Sequence, residues 1–279
     1  LQGLSFKKQE VLARSEDKLM KDISSYKRLP HLDGIEILFA KNHTLDFPSH
    51  THNTFNIALV VHQSFQAKLP SKLLHAPVGS ICITNPDEVH ATPCDKETGN
   101  TFTTFYISPA VLQEINGGIP VFFGDKVIYN QRLFSTLYLL SQRVDHAVID
   151  FELVLLKCLR ELVAKHATTI PFKSHHTRLF RRFLAEETFH KFTLEKTANS
   201  FGMDKYKFLR LFKQETGLTP NHFVMVKRVE HAKMLISQHN DNLLDIAISS
   251  GFYDTAHFCR EFKKYTGVTP STYKNGWLQ

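Results

Sequence analysis

LFKQETGLTPNHF, residues 211–223, and EFKKYTGVTPSTY, residues 261–273, are nearly the same thirteen residues written twice. Each sets Phe-Lys ahead of Thr-Gly-x-Thr-Pro and places an aromatic three residues after the proline. At an offset of fifty, Asp204 aligns with Asp254, Phe208 with Phe258, Arg210 with Arg260, Phe212 with Phe262, Lys213 with Lys263, Gly217 with Gly267 and Pro220 with Pro270. Upstream the offset falls to forty-nine, pairing Ala198 with Ala247 and Gly202 with Gly251, so the second copy carries one extra residue between its Gly and its Asp.

Each repeated position has a physical use. Ala198 and Ala247 are small enough for two helices to cross closely. Gly202 and Gly251 suit the left-handed residue that ends a helix, and Asp204 and Asp254 are good N-caps for the next one. Helix, tight turn and capped helix make a helix-turn-helix, and two in tandem strengthen that assignment. If Phe208, Leu211 and Phe212 face the core, then Tyr206, Leu209, Arg210 and Lys213 fall on the opposite stripe. In the second copy Phe258 and Phe262 face inward, leaving Ala256, Cys259, Arg260 and Lys263 outward, flanked by Thr255 and His257. An Arg in mid-helix can read guanine in bidentate fashion, and a Lys one turn later can hold phosphate. Leu209 and Ala256 can meet thymine methyls. The predicted DNA contacts are therefore Lys205, Tyr206, Leu209, Arg210 and Lys213 in one copy, and Thr255, Ala256, His257, Arg260 and Lys263 in the other. A merely solvated amphipathic face accounts for one such helix but poorly for the duplicated Arg.

Charge points the same way. Residues 1–170 hold 17 Lys+Arg and 17 Asp+Glu, whereas residues 171–279 hold 17 and 10, so the whole net charge of +7 lies in the last part. A neutral front and a basic back imply that only the back meets a polyanion.

The front half reads as β-rich. Short β-branched and aromatic runs at 35–41, 55–61, 64–69, 80–85 and 102–108 are divided by Pro48, Pro70, Pro77, Gly79 and Pro86, which predicts a sandwich or small barrel. Residues 130–145 and 148–166 have helical spacing, with Phe151, Leu155, Cys158, Leu159 and Leu162 as a stripe. Pro171 and the polar stretch 168–176 read as a linker, and the pattern from Thr177 onward is helical. At 42% hydrophobic the chain can bury a core, and no apolar run is long enough to span a membrane. Four dispersed cysteines without a CxxC argue against a disulfide framework and favour a reducing cytoplasm. The first residue is Leu, so the numbering is expected to begin inside a longer chain.

The last 85 or so residues resemble the AraC/XylS family of bacterial transcription regulators, from FTLEKTANSFGMDKYKFLRLFKQETGLTP through KRVEHAKMLI to IAISSGFYDTAHFCREFKKYTGVTPSTYK. The second copy is nearest to the family signature, in Ile246-Ala247, Gly251-Phe252, Phe258, Phe262-Lys263, Gly267 and Thr269-Pro270. Arg228, Glu230 and Ala232 resemble the family's connecting helix, and over residues 221–238 the apolar Phe223, Val226, Val229, Ala232 and Leu235 follow a helical path. Asp204 and Asp254 stand where Ser is frequent, which keeps the caps but adds negative charge near DNA. HTHNTFNIALVV (50–61), Pro77-x-Gly79 and ITNPDEVH (83–90) resemble the family's cupin-like sensor. The resemblance implies an α+β multidomain chain: a cupin-like β-sandwich or barrel with appended helices over 1–167, a linker over 168–176, and an all-α tandem helix-turn-helix domain over 177–279. It also implies a transcription regulator, an activator or a repressor, with promoter DNA, a small-molecule effector, RNA polymerase and a second copy as partners. Residues 130–166 either pair two copies or pack on the barrel.

His50-x-His52 with His90 is an arrangement by which cupin enzymes hold iron, manganese or zinc. Two His at i, i+2 on one strand face the same side. Such sites add a Glu a few residues on, where this chain has Asn56 or Ile57. His50, His52, Asn56 and His90 are accordingly expected to line an effector pocket or to serve the fold, with no metal, no cofactor and no catalytic residue. The competing possibility is a metal-dependent cupin enzyme fused to DNA-binding helices.

Overall fold

A computed structural model describes residues 22–30, 32–144, 150–168, 192–238 and 242–276. The front half is a barrel of antiparallel strands: β1 (Ile23–Leu29), β2 (Ile35–His43), β3 (Phe47–His50), β4 (Phe55–His62), β5 (Phe65–Lys68), β6 (Leu73–Ala76), β7 (Ile81–Thr84), β8 (His90–Thr92), β9 (Asn100–Ile107), β10 (Phe122–Phe123), β11 (Val127–Ile128) and β12 (Ala167–Thr168). One sheet runs β1-β2-β9-β4-β7-β11, a second runs β3-β8-β5-β6, and β10 pairs with β12. The five predicted runs appear as β2, β4, β5, β7 and β9. The larger sheet is buried on both faces, as its alternation dictates. Ile35, Ile37, Phe55, Ile57, Leu59, Ile81, Ile83, Phe105 and Ile107 face one core. Leu38, Ala40, Ala58, Val60, Cys82, Phe102 and Tyr106 face the other.

The first core is closed by α1 (Pro109–Ile115), α2 (Gln131–Ser141) and α3 (Phe151–His166). The stripe Phe151, Leu155, Cys158, Leu159 and Leu162 lies wholly in this core, so it packs on the sheet. The predicted linker begins at Thr168, which is paired with Phe122; residues 169–176, together with 145–149 and 177–191, lie outside the described residues.

The back half contains α4 (Leu194–Ser200), α5 (Lys205–Thr216), α6 (Pro220–Gln238), α7 (Leu243–Ser249), α8 (Thr255–Thr266) and α9 (Pro270–Asn275). Ala198 and Ala247 are fully buried where the helices cross. Gly202 and Gly251 adopt φ of 63° and 81°. Asp204 accepts from the N–H groups of Tyr206 and Lys207 at 2.9 and 3.0 Å, and Asp254 accepts from His257 N–H at 2.7 Å. Replacing either Asp by Ala is expected to cost about 1 kcal/mol, read as a lower urea midpoint; an unchanged midpoint would mean that the caps are idle.

The repeated Thr-Gly-x-Thr-Pro is a helix stop followed by a helix start, a meaning the sequence alone did not disclose. Thr216 donates its hydroxyl toward Phe212 O and Leu218 O, and Thr266 toward Phe262 O and Val268 O, at 2.7–3.1 Å. Gly217 and Gly267 are left-handed C-caps, and Pro270 follows the N-cap Thr269. In α6 the expected stripe member Leu235 is only partly buried, and Ile236 is buried instead. The phase shifts because α6 is covered by two bodies rather than one.

The two halves share a core. Val226, Val229, Ala232, Phe258, Phe262, Tyr265 and Tyr273 of the helices join Tyr26, Phe47, Phe65, Phe102 and Tyr106 of the barrel. The contacts place α6 and α8 on β3, and α9 on β1. Arg28 N–H donates to Gly276 O at 3.2 Å, and a Cβ at Gly276 would overlap the Tyr26 carbonyl. Glycine is needed there for the close approach.

Candidate nucleic-acid interface and sensor cavity

On α5, Lys205, Tyr206, Arg210 and Lys213 are exposed, Tyr206 to 75%, and Leu209 is half-buried. On α8, Ala256, Arg260 and Lys263 are exposed, while Thr255 and His257 are half-buried. Cys259 is also half-buried and leans on the core, so it leaves the outward stripe. The two faces are therefore equivalent, each with an exposed Arg one turn before an exposed Lys. Backbone N–H groups, chiefly that of Lys207, hold the Asp204 carboxyl below its ordinary range, so its charge is engaged in the cap. Exposed Tyr253, just before α8, is a neighbour of this face that periodicity did not single out.

The barrel holds a narrow, partly open cavity lined by His50, His52, His90, Asn56, Thr84, Thr92, Thr104 and Tyr106 among apolar walls. All four sequence-predicted sensor residues meet here. One expectation needs correction: His50 and His52 do not share a strand, because β3 ends at His50. The chain turns after Pro48-Ser49-His50, yet the rings still converge, with centroids 4.6 Å apart for His50 and His52, 4.4 Å for His50 and His90, and 5.5 Å for His52 and His90. Ile57 points away into the sheet's other core.

Burial, reinforced by the neighbouring imidazoles, holds His50 well below the usual histidine range and lowers His90 to about 3. Both are neutral rings. The mouth is covered from the helical half. His52 Nδ1 lies 3.5 Å from Glu230 Oε1 of α6. Lys233, one turn along, reaches Glu36 of β2 at 3.0 Å and Glu230 at 3.8 Å, and Tyr273 donates a short hydrogen bond to Glu36. Burial raises the Glu230 carboxyl, but Lys233 and His52 outweigh it and bring it to about 2. Burial lowers Lys233, and the carboxylates of Glu230 and Glu36 more than reverse this. Tyr26 Oη completes the seam by donating to Thr266 O at 3.1 Å. None of Glu36, Glu230 or Lys233 was legible as a site residue, because the contacts that join the halves, Glu36 with Lys233 and His52 with Glu230, link positions far apart in the sequence.

A family model described as an AraC-like ligand binding domain matches residues 34–156, and one described as a helix-turn-helix domain matches residues 197–276. The HTH-type transcriptional regulator YbfI of Bacillus subtilis is 28% identical over 244 residues, 82% of this chain and 86% of that protein. The HTH-type transcriptional regulator MtrA of Neisseria gonorrhoeae is 30% identical over 84 residues, 30% of this chain and 28% of its own length. The fold of apo ToxT from Vibrio cholerae covers 91% of this chain and 98% of that one, with a TM-score of 0.57 at 11% identity. Two matches falling in this order on the barrel and on the doubled helix-turn-helix show that the chain belongs to the AraC/XylS family of transcriptional regulators, with a ligand-binding domain ahead of its DNA-binding domain.

Proposed function

We propose that the chain regulates transcription by laying α5 and α8 into successive major grooves of promoter DNA, under control of a small effector in the barrel cavity. The observation that carries this is the equivalence of Arg210 and Arg260, both exposed at the same position of capped helices. The excess of basic charge in the same half supplies the sequence-independent attraction. Arg210→Ala and Arg260→Ala should each cost about 1–3 kcal/mol at a site selected from random duplexes, by loss of base contacts. Lys213→Ala and Lys263→Ala should weaken selected and random DNA alike and lower the salt slope by about one. Competition gel shifts measure both; wild-type affinity for the selected site in both Arg variants would take them off the reading face.

The same proposal makes the chain a non-enzyme of the cytoplasm. No carboxylate is among the residues lining the cavity, and burial pushes the Cys82 thiol up to about 12, far from a reactive thiolate. Among the described residues no helix is long and apolar enough to cross a membrane. A second copy would pair through the outer side of α2 and α3, where Leu139 and Leu153 stand exposed after the inner stripe is used on the sheet. RNA polymerase is the partner through which an activator of this architecture would act.

A further inference from the structure

Three imidazoles converge at the mouth of the cavity, one ring nitrogen of each within 4.8 Å of the others. Their orientation is specific. His50 Nδ1 lies 2.5 Å from Pro48 O, and His90 Nδ1 lies 3.0 Å from Glu88 O. A carbonyl only accepts, so each Nδ1 carries the proton and each Nε2 keeps its lone pair. Neither Nε2 has a hydrogen-bond partner among the described residues, and both rings line the cavity. Backbone carbonyls on Nδ1, with Nε2 free, are how proteins orient imidazoles toward a metal. The third ring lies near a carboxylate, with His52 Nδ1 at 3.5 Å from Glu230 Oε1, a contact that ordering of His52 on an ion would have to tighten into a hydrogen bond.

We infer that His50, His52 and His90 hold a divalent transition metal of the zinc class, that Glu230 braces His52 from the DNA-binding half, and that this ion is the effector the cavity senses. The last clause rests on the regulator reading above; the site itself does not. The absence of a carboxylate after His52 counts against a metal only along the sequence, and α6 brings one in from the other half. Three imidazole ligands select zinc, nickel, cobalt or copper over calcium and magnesium, which want oxygen. A tetrahedral shell with bonds of about 2.0–2.1 Å sets nitrogens roughly 3.3 Å apart, so the widest pair must close by no more than about 1.5 Å. Three protein ligands leave a fourth position open toward the cavity. Because Glu230 sits on the helix joining the two DNA-reading motifs, ordering His52 on the ion also fixes that helix on the barrel.

The test is a titration of the full chain, stripped with a chelator, first with Co²⁺ and then with Zn²⁺. About one Co²⁺ per chain, with the intense visible bands of four-coordinate cobalt displaced by Zn²⁺, is expected. Affinity should fall at least about 100-fold in His90→Ala and about 10–100-fold in Glu230→Gln, with circular dichroism unchanged. Absence of saturable binding, or equal binding in a His50→Ala/His90→Ala variant, would overturn the site. If the histidine variants do not fold, Glu230→Gln decides, and unchanged affinity there overturns the bridge between the halves. Gel shifts with selected and random duplexes, with and without Zn²⁺, test the effector role. A shift of about tenfold or more in affinity for the selected site supports it, and identical affinities overturn it. Failure to bind either duplex in both states would defeat the regulator reading, and the effector role with it, while the cobalt titration still decides the site.

Discussion

Lys233→Met is expected to destabilise the docked chain by about 3–5 kcal/mol, the cost of removing one partner from a buried ion pair. Lys233 is 11% exposed and lies between Glu36 on the sensor sheet and Glu230 on its own helix. It also sits over the rings of Tyr106 and Tyr273, at 5.5 and 5.8 Å. Methionine keeps most of the stem but leaves two carboxylates facing each other without a cation. The chain can relieve them only by letting water in, which means parting α6 from the barrel. Thermal unfolding reads the loss, and hydrogen exchange locates it: the Arg28 amide, bonded to Gly276 across the seam, should lose protection before the sheet interior does. Adding Glu36→Gln should recover part of the loss, since the residues are in contact and their effects are not additive. A Lys233→Met chain within about 1 kcal/mol of the parent would show that the apolar seam holds the halves without the ion pair.

What could be read from the sequence follows from how local each signal is. The caps, the crossing alanines and the outward faces of α5 and α8 are fixed within a dozen residues, so periodicity and turn chemistry found them. Strands β2, β4, β7 and β9 were legible because they are continuous apolar runs in a doubly covered sheet. Strand β1 was not: ISSYKRL is an edge strand that buries only Tyr26 and Leu29, too little for alternation to reveal. The cavity residues were legible as residues, but their geometry was not, since the turn after β3 rather than one strand brings His50 and His52 together. The seam between the halves was invisible. Glu36 with Lys233, and His52 with Glu230, carry no sequence signal at such separations, and the double covering of α6 appeared only as a stripe whose phase was slightly wrong.

Inserting about five base pairs between the two half-sites is expected to abolish specific binding by the full chain, and about ten to restore it in part at best. The reason lies in α6, a single helix of 19 residues from Pro220 to Gln238, about 28 Å long at 1.5 Å per residue. It contacts both α5 and α8 and is itself packed against β3. The distance between the two reading faces is therefore set by a rigid body, not by a tether. Successive major grooves on one side of straight DNA are about 34 Å apart, slightly more than this helix spans. Engaging both faces thus requires DNA bent toward the protein, at a few kcal/mol for a modest angle. Five extra base pairs carry one half-site to the far side of the duplex, where bending cannot recover it. Ten return it to the near side but move it one turn away, beyond the reach of the connector. Affinity should then settle near that of a single motif plus nonspecific contacts, and the salt slope should fall as phosphate contacts are lost. Titrating the chain onto the three spacings measures this. Equal affinity for all of them would mean that one motif reads the sequence and that its twin, with the same caps and the same Arg, is there to hold the fold together.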